Sequence, residues 1–154
     1  MVRRVAETVC AAGLGQIVVV TGAAAEELRG ALAGLALSVV HNPDWAEGMS
    51  TSLRTGIGAL EPGTRAALVV LADQPGLSTG LIDRLVAHYL GTGAAAVAPV
   101  YRGRRGHPVL FDRSLFPEIL RLEGDQGARP ILNRPGAAWI SNLAVKSRKA
   151  CWCR

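Results

Sequence analysis

Lysine is almost missing from these 154 residues: there are two, Lys146 and Lys149, both within the last nine positions. Aromatic residues make up only 5% and charged residues 19%, against 49% hydrophobic residues. That composition is globular rather than disordered, and it leaves the core to Val, Leu, Ile and Ala. No apolar run approaches the roughly 20 residues a membrane helix needs. The opening MVRRVAETVCAAGLG mixes charges among its apolar positions and lacks the unbroken apolar stretch of a secretory signal. Three cysteines, Cys10, Cys151 and Cys153, are too few for a disulfide framework, so a reducing, cytoplasmic setting is expected. The C-x-C pair has no further Cys or His nearby and makes a poor zinc site. The length is that of one domain.

The net charge of +5 and pI of 9.7 suggest a nucleic-acid partner, but the distribution argues against one. Lys146 to Arg154 hold four basic residues and no acid, and no acid follows Asp125. The remainder carries thirteen arginines against twelve acids and is nearly balanced. The excess therefore sits in a tail rather than on a folded face. Composition changes abruptly near Pro135. Residues 1–135 are expected to form the domain, and 136–154 an atypical basic tail, read as a frayed or foreign ending more than as a nucleic-acid arm.

Apolar spacing predicts alternating helices and strands. Residues 2 to about 12 form a helix with Val2, Val5, Ala6 and Val9 on one face. Ile17–Val20, Leu37–Val40, residues 66–72 (AALVVLA) and Ala94–Pro99 read as strands, with Val109–Phe111 a short one. Helices are expected at about 23–33, from Ser50 to Leu60, after Ser78 through Leu90, and at about 113–122 and 126–133. Continuous β-branched runs alternating with helices imply α/β with a mostly parallel sheet buried on both faces. In open α/β sheets, ligands bind beyond the carboxyl ends of the strands. Here the residues beyond those ends are Thr21-Gly22, His41-Asn42-Pro43-Asp44, Asp73-Gln74-Pro75 and Pro99-Val100-Tyr101.

Four segments could carry chemistry. Asp73, beyond the most apolar strand, is placed to hold Mg²⁺ against a nucleotide triphosphate, and equally placed to cap its own loop. In NPDWAEGMSTSLRTG (42–56), Gly48, Ser50 and Ser52 lie at a helix start that suits a phosphate or a base edge, or ordinary capping. In YRGRRGHPVLF (101–111), Arg102, Arg104 and Arg105 form a cationic loop for an anionic substrate, or a solvated hairpin tip. His107 there is a candidate on the substrate side. In EGDQGARPIL (123–132), Asp125 could cap the following helix or face the site.

Taken in order, NPDWAEGMSTSLRTG, LVVLADQPGLS, GRRGHPVLFD and GDQGAR resemble the molybdenum cofactor cytidylyltransferases within the MobA-like NTP transferase family. The resemblance covers about Val2 to Leu132. It implies a Rossmann-like, three-layer nucleotidyltransferase fold and transfer of CMP from CTP to molybdopterin cofactor with release of pyrophosphate. By the same resemblance, Asp73 would be the catalytic, Mg²⁺-binding acid, and Thr21, Gly22, Gly48, Ser50 and Ser52 would lie by the nucleotide. Arg105, His107, Asp125 and Gln126 would face the cofactor substrate, and a molybdoenzyme apoprotein is a further candidate partner. No nucleic acid and no membrane is implied.

Two features of the family pattern are absent. The family opens with a strand and a Gly-rich LAAGxSxRMG loop that cradles the triphosphate, and ends with an acidic Asp-x-Asp segment; this sequence has neither. A missing first strand would leave a gap between its neighbours or force them to re-pair. An impaired or inactive fragment is therefore expected, with a cofactor-binding or chaperone module, or transfer to another phosphorylated substrate, as the alternatives.

Overall fold

The computed structural model describes residues 1–74, 76–133 and 136–140. In chain order the elements are α1 (Val2–Ala11), β1 (Val18–Thr21), α2 (Ala25–Leu32), β2 (Ser38–His41), α3 (Met49–Gly58), β3 (Ala66–Val69), α4 (Thr79–Thr92), β4 (Ala96–Tyr101), β5 (Arg104–Arg105), β6 (Val109–Asp112), α5 (Phe116–Ile119), α6 (Arg129–Leu132) and β7 (Ala137–Ile140). Single 3₁₀ turns lie at Trp45–Glu47 and Arg113–Leu115. Among the described residues no helix is long and apolar enough to cross a membrane.

Three layers form because each strand's alternate residues meet a different set of helices. On one face, Ala67 and Val69 of β3, Ala96 and Ala98 of β4, and Val109 and Phe111 of β6 pack with Ile57 of α3, Ile119 of α5 and Ile131 of α6. On the other, Leu68, Val97 and Leu110 pack with Leu81 and Leu85 of α4. Ser78 caps α4, its hydroxyl accepting from the Leu81 amide at 3.3 Å, and Gly93 closes the helix in the left-handed region at φ 62°.

The sheet is more mixed than the sequence suggested. β1 pairs with β2 in parallel, and β7 with β4 in parallel. β6 runs between β3 and β4, antiparallel to both. The reason is connection length: only a short segment separates β4 from β6, too little for the crossover a parallel partner needs. β3 also stops at Val69 rather than continuing to Ala72, because its ladder ends where β6 begins, at Val109. Beyond Pro135, Ala137–Ile140 joins β4 and extends the sheet, while 141–154, with the cysteine pair and both lysines, lie outside the described residues.

Among the described residues no ladder joins β1 to β3, and the strands form a two-stranded and a five-stranded sheet. Helices span the break instead. α3 packs on β1 and β2 and also sends Leu53 and Ile57 into the core over β3. Val20 of β1 lies close to Gly56, where an ideal Cβ would approach its methyl to 3.2 Å. The strands enter from the same side: the Gln16 side chain donates to the Ala59 carbonyl (3.0 Å) and accepts from the Glu61 amide (2.8 Å). These bonds tie the segment entering β1 to the segment leading into β3.

One polar contact locks the second helical layer to the sheet. The Tyr89 hydroxyl of α4 donates to Asp112 Oδ2 of β6 at 2.5 Å. This bond, with those from Ser114, holds the Asp112 carboxyl below its usual 3.8, and the same bond raises Tyr89 above its usual 10.0. A lowered acid stabilises the fold above its unfolded pKa and loses that contribution as pH falls through the folded one. A raised phenol stabilises the fold below pH 10 and loses that contribution as pH rises through the folded value. Tyr89→Phe should therefore cost about 1 kcal/mol at neutral pH, with the deficit shrinking below about pH 4 and above about pH 10. Urea titrations of both proteins across that range measure it.

Candidate functional site

The rim at the carboxyl ends of β1 and β3 is built from loops held by unusually specific polar contacts. The first group surrounds the start of α3. Gly48 has φ 120°, and an ideal Cβ on it would lie 2.8 Å from the Gly124 carbonyl oxygen. This close approach lets the 122–127 loop strap onto the helix. The Met49 amide donates to Asp125 Oδ1 at 3.1 Å and the Ser50 amide to the Gly124 carbonyl at 3.3 Å. The Ser50 hydroxyl donates to the Glu123 carbonyl at 3.3 Å, and Arg54 to the Leu122 carbonyl at 3.2 Å. Orphan amides at a helix start need acceptors; here Asp125 and Gly124 supply them from 76 and 74 residues away.

Asn42 carries the same helix from the other side. It is 1% exposed, and its amide donates to Thr51 Oγ1 (2.8 Å) and Ser52 Oγ (3.0 Å), while its Oδ1 accepts from the Asp44 amide at 3.1 Å. Thr51 in turn is hydrogen-bonded to the Asp44 and Gly48 carbonyls. Thr21 is buried, its hydroxyl directed at the Val40 carbonyl at 3.4 Å. Gly22 lies under Trp45, whose ring would stand 2.8 Å from a Cβ there. Trp45 is half exposed and, with Gly22, Ala24, Glu26 and His41, borders a shallow cleft of about 370 Å³.

The second group joins β3 to β6. Asp73 is exposed on the turn after β3. The Gln74 amide donates to the His107 carbonyl, fixing that turn to the segment entering β6. Burial holds the His107 imidazole below its usual 6.5, opposed by a bond to the Val69 backbone and by the charge of Asp73. The ring is accordingly neutral near pH 7. His107 Nδ1 and Gln74 Oε1 are both buried without a hydrogen-bond partner among the described residues.

The sequence candidates therefore sort by place. Gly48, Ser50 and Asp125 meet at the head of α3, with exposed Gln126 beside them and Ser52 reached through Asn42. Asp73 lies on the turn after β3 and His107 on the segment entering β6, the two segments joined by the Gln74 side chain. Thr21 and Gly22 border the β1–β2 side. Arg105 donates to the Leu132 carbonyl (2.9 Å) and Asn133 Oδ1 (2.7 Å) and lies 4.5 Å above the Trp139 ring. Two residues with structural weight, Asn42 and Gln74, were not singled out from the sequence. The signal for Asn42 was available: an Asn directly after a strand and before a capped helix is a loop organiser.

A divalent ion fits this rim in one way only. Among the described residues no three of His, Cys, Asp and Glu cluster as a self-sufficient metal site. A lone exposed carboxylate suits a hard cation that takes most of its oxygens from substrate phosphates and water.

Residues 1–139 match the model of the MobA-like NTP transferase domain. Nicotine blue oxidoreductase of Paenarthrobacter nicotinovorans is 34% identical over 149 residues, covering 93% of this chain and 72% of that protein. Molybdenum cofactor cytidylyltransferase of Escherichia coli K12 is 27% identical over 107 residues, covering 69% of this chain and about half (53%) of that protein. Among solved structures, the Mycobacterium tuberculosis protein Rv0371c in complex with manganese superposes with a TM-score of 0.72 at 26% identity, covering 88% of this chain and 72% of that one.

Proposed function

The chain belongs to the MobA-like NTP transferase family, and from that premise we propose that its rim supplies the metal acid and the acceptor side of a site that transfers CMP from CTP to molybdopterin cofactor, in the cytoplasm. One observation carries the reading: an exposed Asp73 at the carboxyl end of β3, on a turn whose next residue, Gln74, donates its side-chain amide to the His107 carbonyl. In such a reaction a phosphate oxygen of the acceptor attacks the α-phosphorus and the bond to pyrophosphate breaks. No covalent nucleophile is needed, so alignment and charge neutralisation do most of the work. Asp73 would hold Mg²⁺, which when bound offsets the negative charge gathered at the phosphates. The strapped head of α3, with Gly48, Ser50 and Ser52, would border the nucleotide, and Thr21 and Gly22 would wall its far side. His107, Asp125 and Gln126 would face the acceptor, and a molybdoenzyme apoprotein would receive the product. The manganese complex of the mycobacterial relative supports use of a divalent ion.

The sequence has no Gly-rich triphosphate loop, and its two lysines lie outside the described residues. The 154-residue chain is therefore proposed to release pyrophosphate from CTP and molybdopterin at background rate only. Its metal acid is testable regardless of turnover. Asp73→Asn should weaken Mn²⁺ binding in the presence of CTP at least about tenfold, since the substitution removes the carboxylate charge proposed to face the ion. Electron paramagnetic resonance titration of free Mn²⁺ reads this directly, and equal binding by the two proteins sinks the assignment.

The higher identity to a nicotine blue oxidoreductase favours a second reading, in which the same rim takes part in a redox reaction. A change in the absorbance of nicotine blue on mixing with the chain and a nicotinamide cofactor, independent of CTP, would select it.

A further inference from the structure

We infer that Gln74 is a positioning residue for the metal acid: by clamping the turn after β3 onto His107, it sets the Asp73 carboxylate toward the divalent ion. The inference rests on the nucleotidyl-transfer reading and gives a part to a residue that reading leaves without one.

The clamp grips the chain on both sides of Asp73. Ahead of it, β3 ends at Val69, whose backbone is bonded to the His107 imidazole. Behind it, the Gln74 side-chain amide donates to the His107 carbonyl. Residues 70–73 therefore run between two points fixed on one residue. The Gln74 backbone amide also donates to the Leu71 carbonyl at 3.3 Å, which closes the turn on itself. His107 is a firm post, because the Pro108 side chain after it is fully buried and Val109 pairs with Val69 in the β3–β6 ladder. Asp73 is exposed, and among the described residues its carboxylate takes part in no hydrogen bond or ion pair. Its place is thus set by the backbone, and the backbone by the clamp.

Folding alone gives no reason for a glutamine here. Gln74 Oε1 and His107 Nδ1 are buried without a hydrogen-bond partner among the described residues. An orphaned acceptor costs stability that an apolar side chain of the same shape avoids. Methionine, unbranched and of similar length, would fill the same space, losing one hydrogen bond and removing one orphan. A polar residue that packing does not favour, next in sequence to an unengaged carboxylate, points to use at the site. An ion that takes most of its oxygens from phosphates and water makes this use specific. It depends on the protein's carboxylate standing in the right place before the ligand arrives.

The test titrates Mn²⁺ with CTP into the 154-residue chain, Asp73→Asn, Gln74→Met and the double variant. Free Mn²⁺ is read by electron paramagnetic resonance, and each protein is melted under circular dichroism. Gln74→Met should weaken Mn²⁺ binding about threefold to tenfold while melting at nearly the same temperature as the original chain. The double variant should bind no more than about twofold more weakly than Asp73→Asn alone, because a residue acting through the carboxylate then has nothing to act on. The inference is overturned if Gln74→Met binds Mn²⁺ like the original chain. It is overturned equally if the two single losses multiply in the double variant, which would make Gln74 an independent contact, or if Gln74→Met melts far below the original chain, which would make it structural. Equal Mn²⁺ binding by the original chain and Asp73→Asn overturns instead the reading of Asp73 on which the inference rests.

Discussion

Phe111→Ala is expected to cost about 3–5 kcal/mol and to lower the melting temperature by roughly 6–20 °C. The chain has two phenylalanines, and this one is 1% exposed in the middle of β6. It stands opposite Ala67 of β3 and Ala96 of β4, so its ring fills the volume that two small neighbours leave. Truncation opens a cavity under α3, α5 and α6 that alanines on either side cannot close. Domains of this size hold only about 5–15 kcal/mol in total, so the variant should sit near the edge of folding. Leu90→Ala, at a position 66% exposed, is the control and should shift stability by no more than about 0.5 kcal/mol. Thermal melts followed by circular dichroism compare them, and equal losses would mean the core is not centred on β6.

Gly48→Ala should cost about 2–4 kcal/mol, from two sources that add. Its φ of 120° with ψ of 176° is a conformation L-residues rarely adopt. A methyl group would also meet the carbonyl oxygen and carbon of Gly124 at 2.8 and 2.9 Å. Those atoms are backbone, and the oxygen already accepts from Ser50, so the 122–127 loop has to lift from the helix. Gly58→Ala is the contrasting change in the same helix, with open space around it and no positive φ; it should be neutral or stabilising by up to about 1 kcal/mol. Cleavage of the 122–127 loop by a protease of broad specificity should accelerate in Gly48→Ala and not in Gly58→Ala. Unchanged cleavage in both would show that the strap contributes little.

Local signals in the sequence were read accurately where local physics decides. Ser78 caps α4 because a hydroxyl before an apolar 3.6-residue pattern has few better uses. The continuous apolar runs of β4 and β6 reflect burial on both faces, with alternate residues meeting opposite helical layers. The short pair Arg104–Arg105 and the strand Ala137–Ile140 were not legible, since two arginines and an alanine-rich stretch have no strand signature of their own. Strand β3 ended early for a reason the sequence does not contain, the point at which its partner begins. Arg105 was read as a substrate contact because it is cationic and near glycines; its partners Leu132, Asn133 and Trp139 come from distant sequence. The Asp125–Met49 contact was invisible for the same reason, although a helix-capping use of Asp125 was anticipated for a different helix.

The break between β1 and β3 divides the molecule's cooperativity. Backbone ladders tie β3, β4, β6 and β7 into one unit, whereas the β1–β2 pair is held to it through helix side chains and the Gln16 bonds. Side-chain contacts alone let a segment detach without dismantling the rest, so this pair should behave as its own foldon, its amides exchanging with solvent deuterium through openings smaller than global unfolding. Trp45 and Gly22 ride on that foldon. The β1–β2 side of the rim is thereby the half that ligand binding there would quieten most.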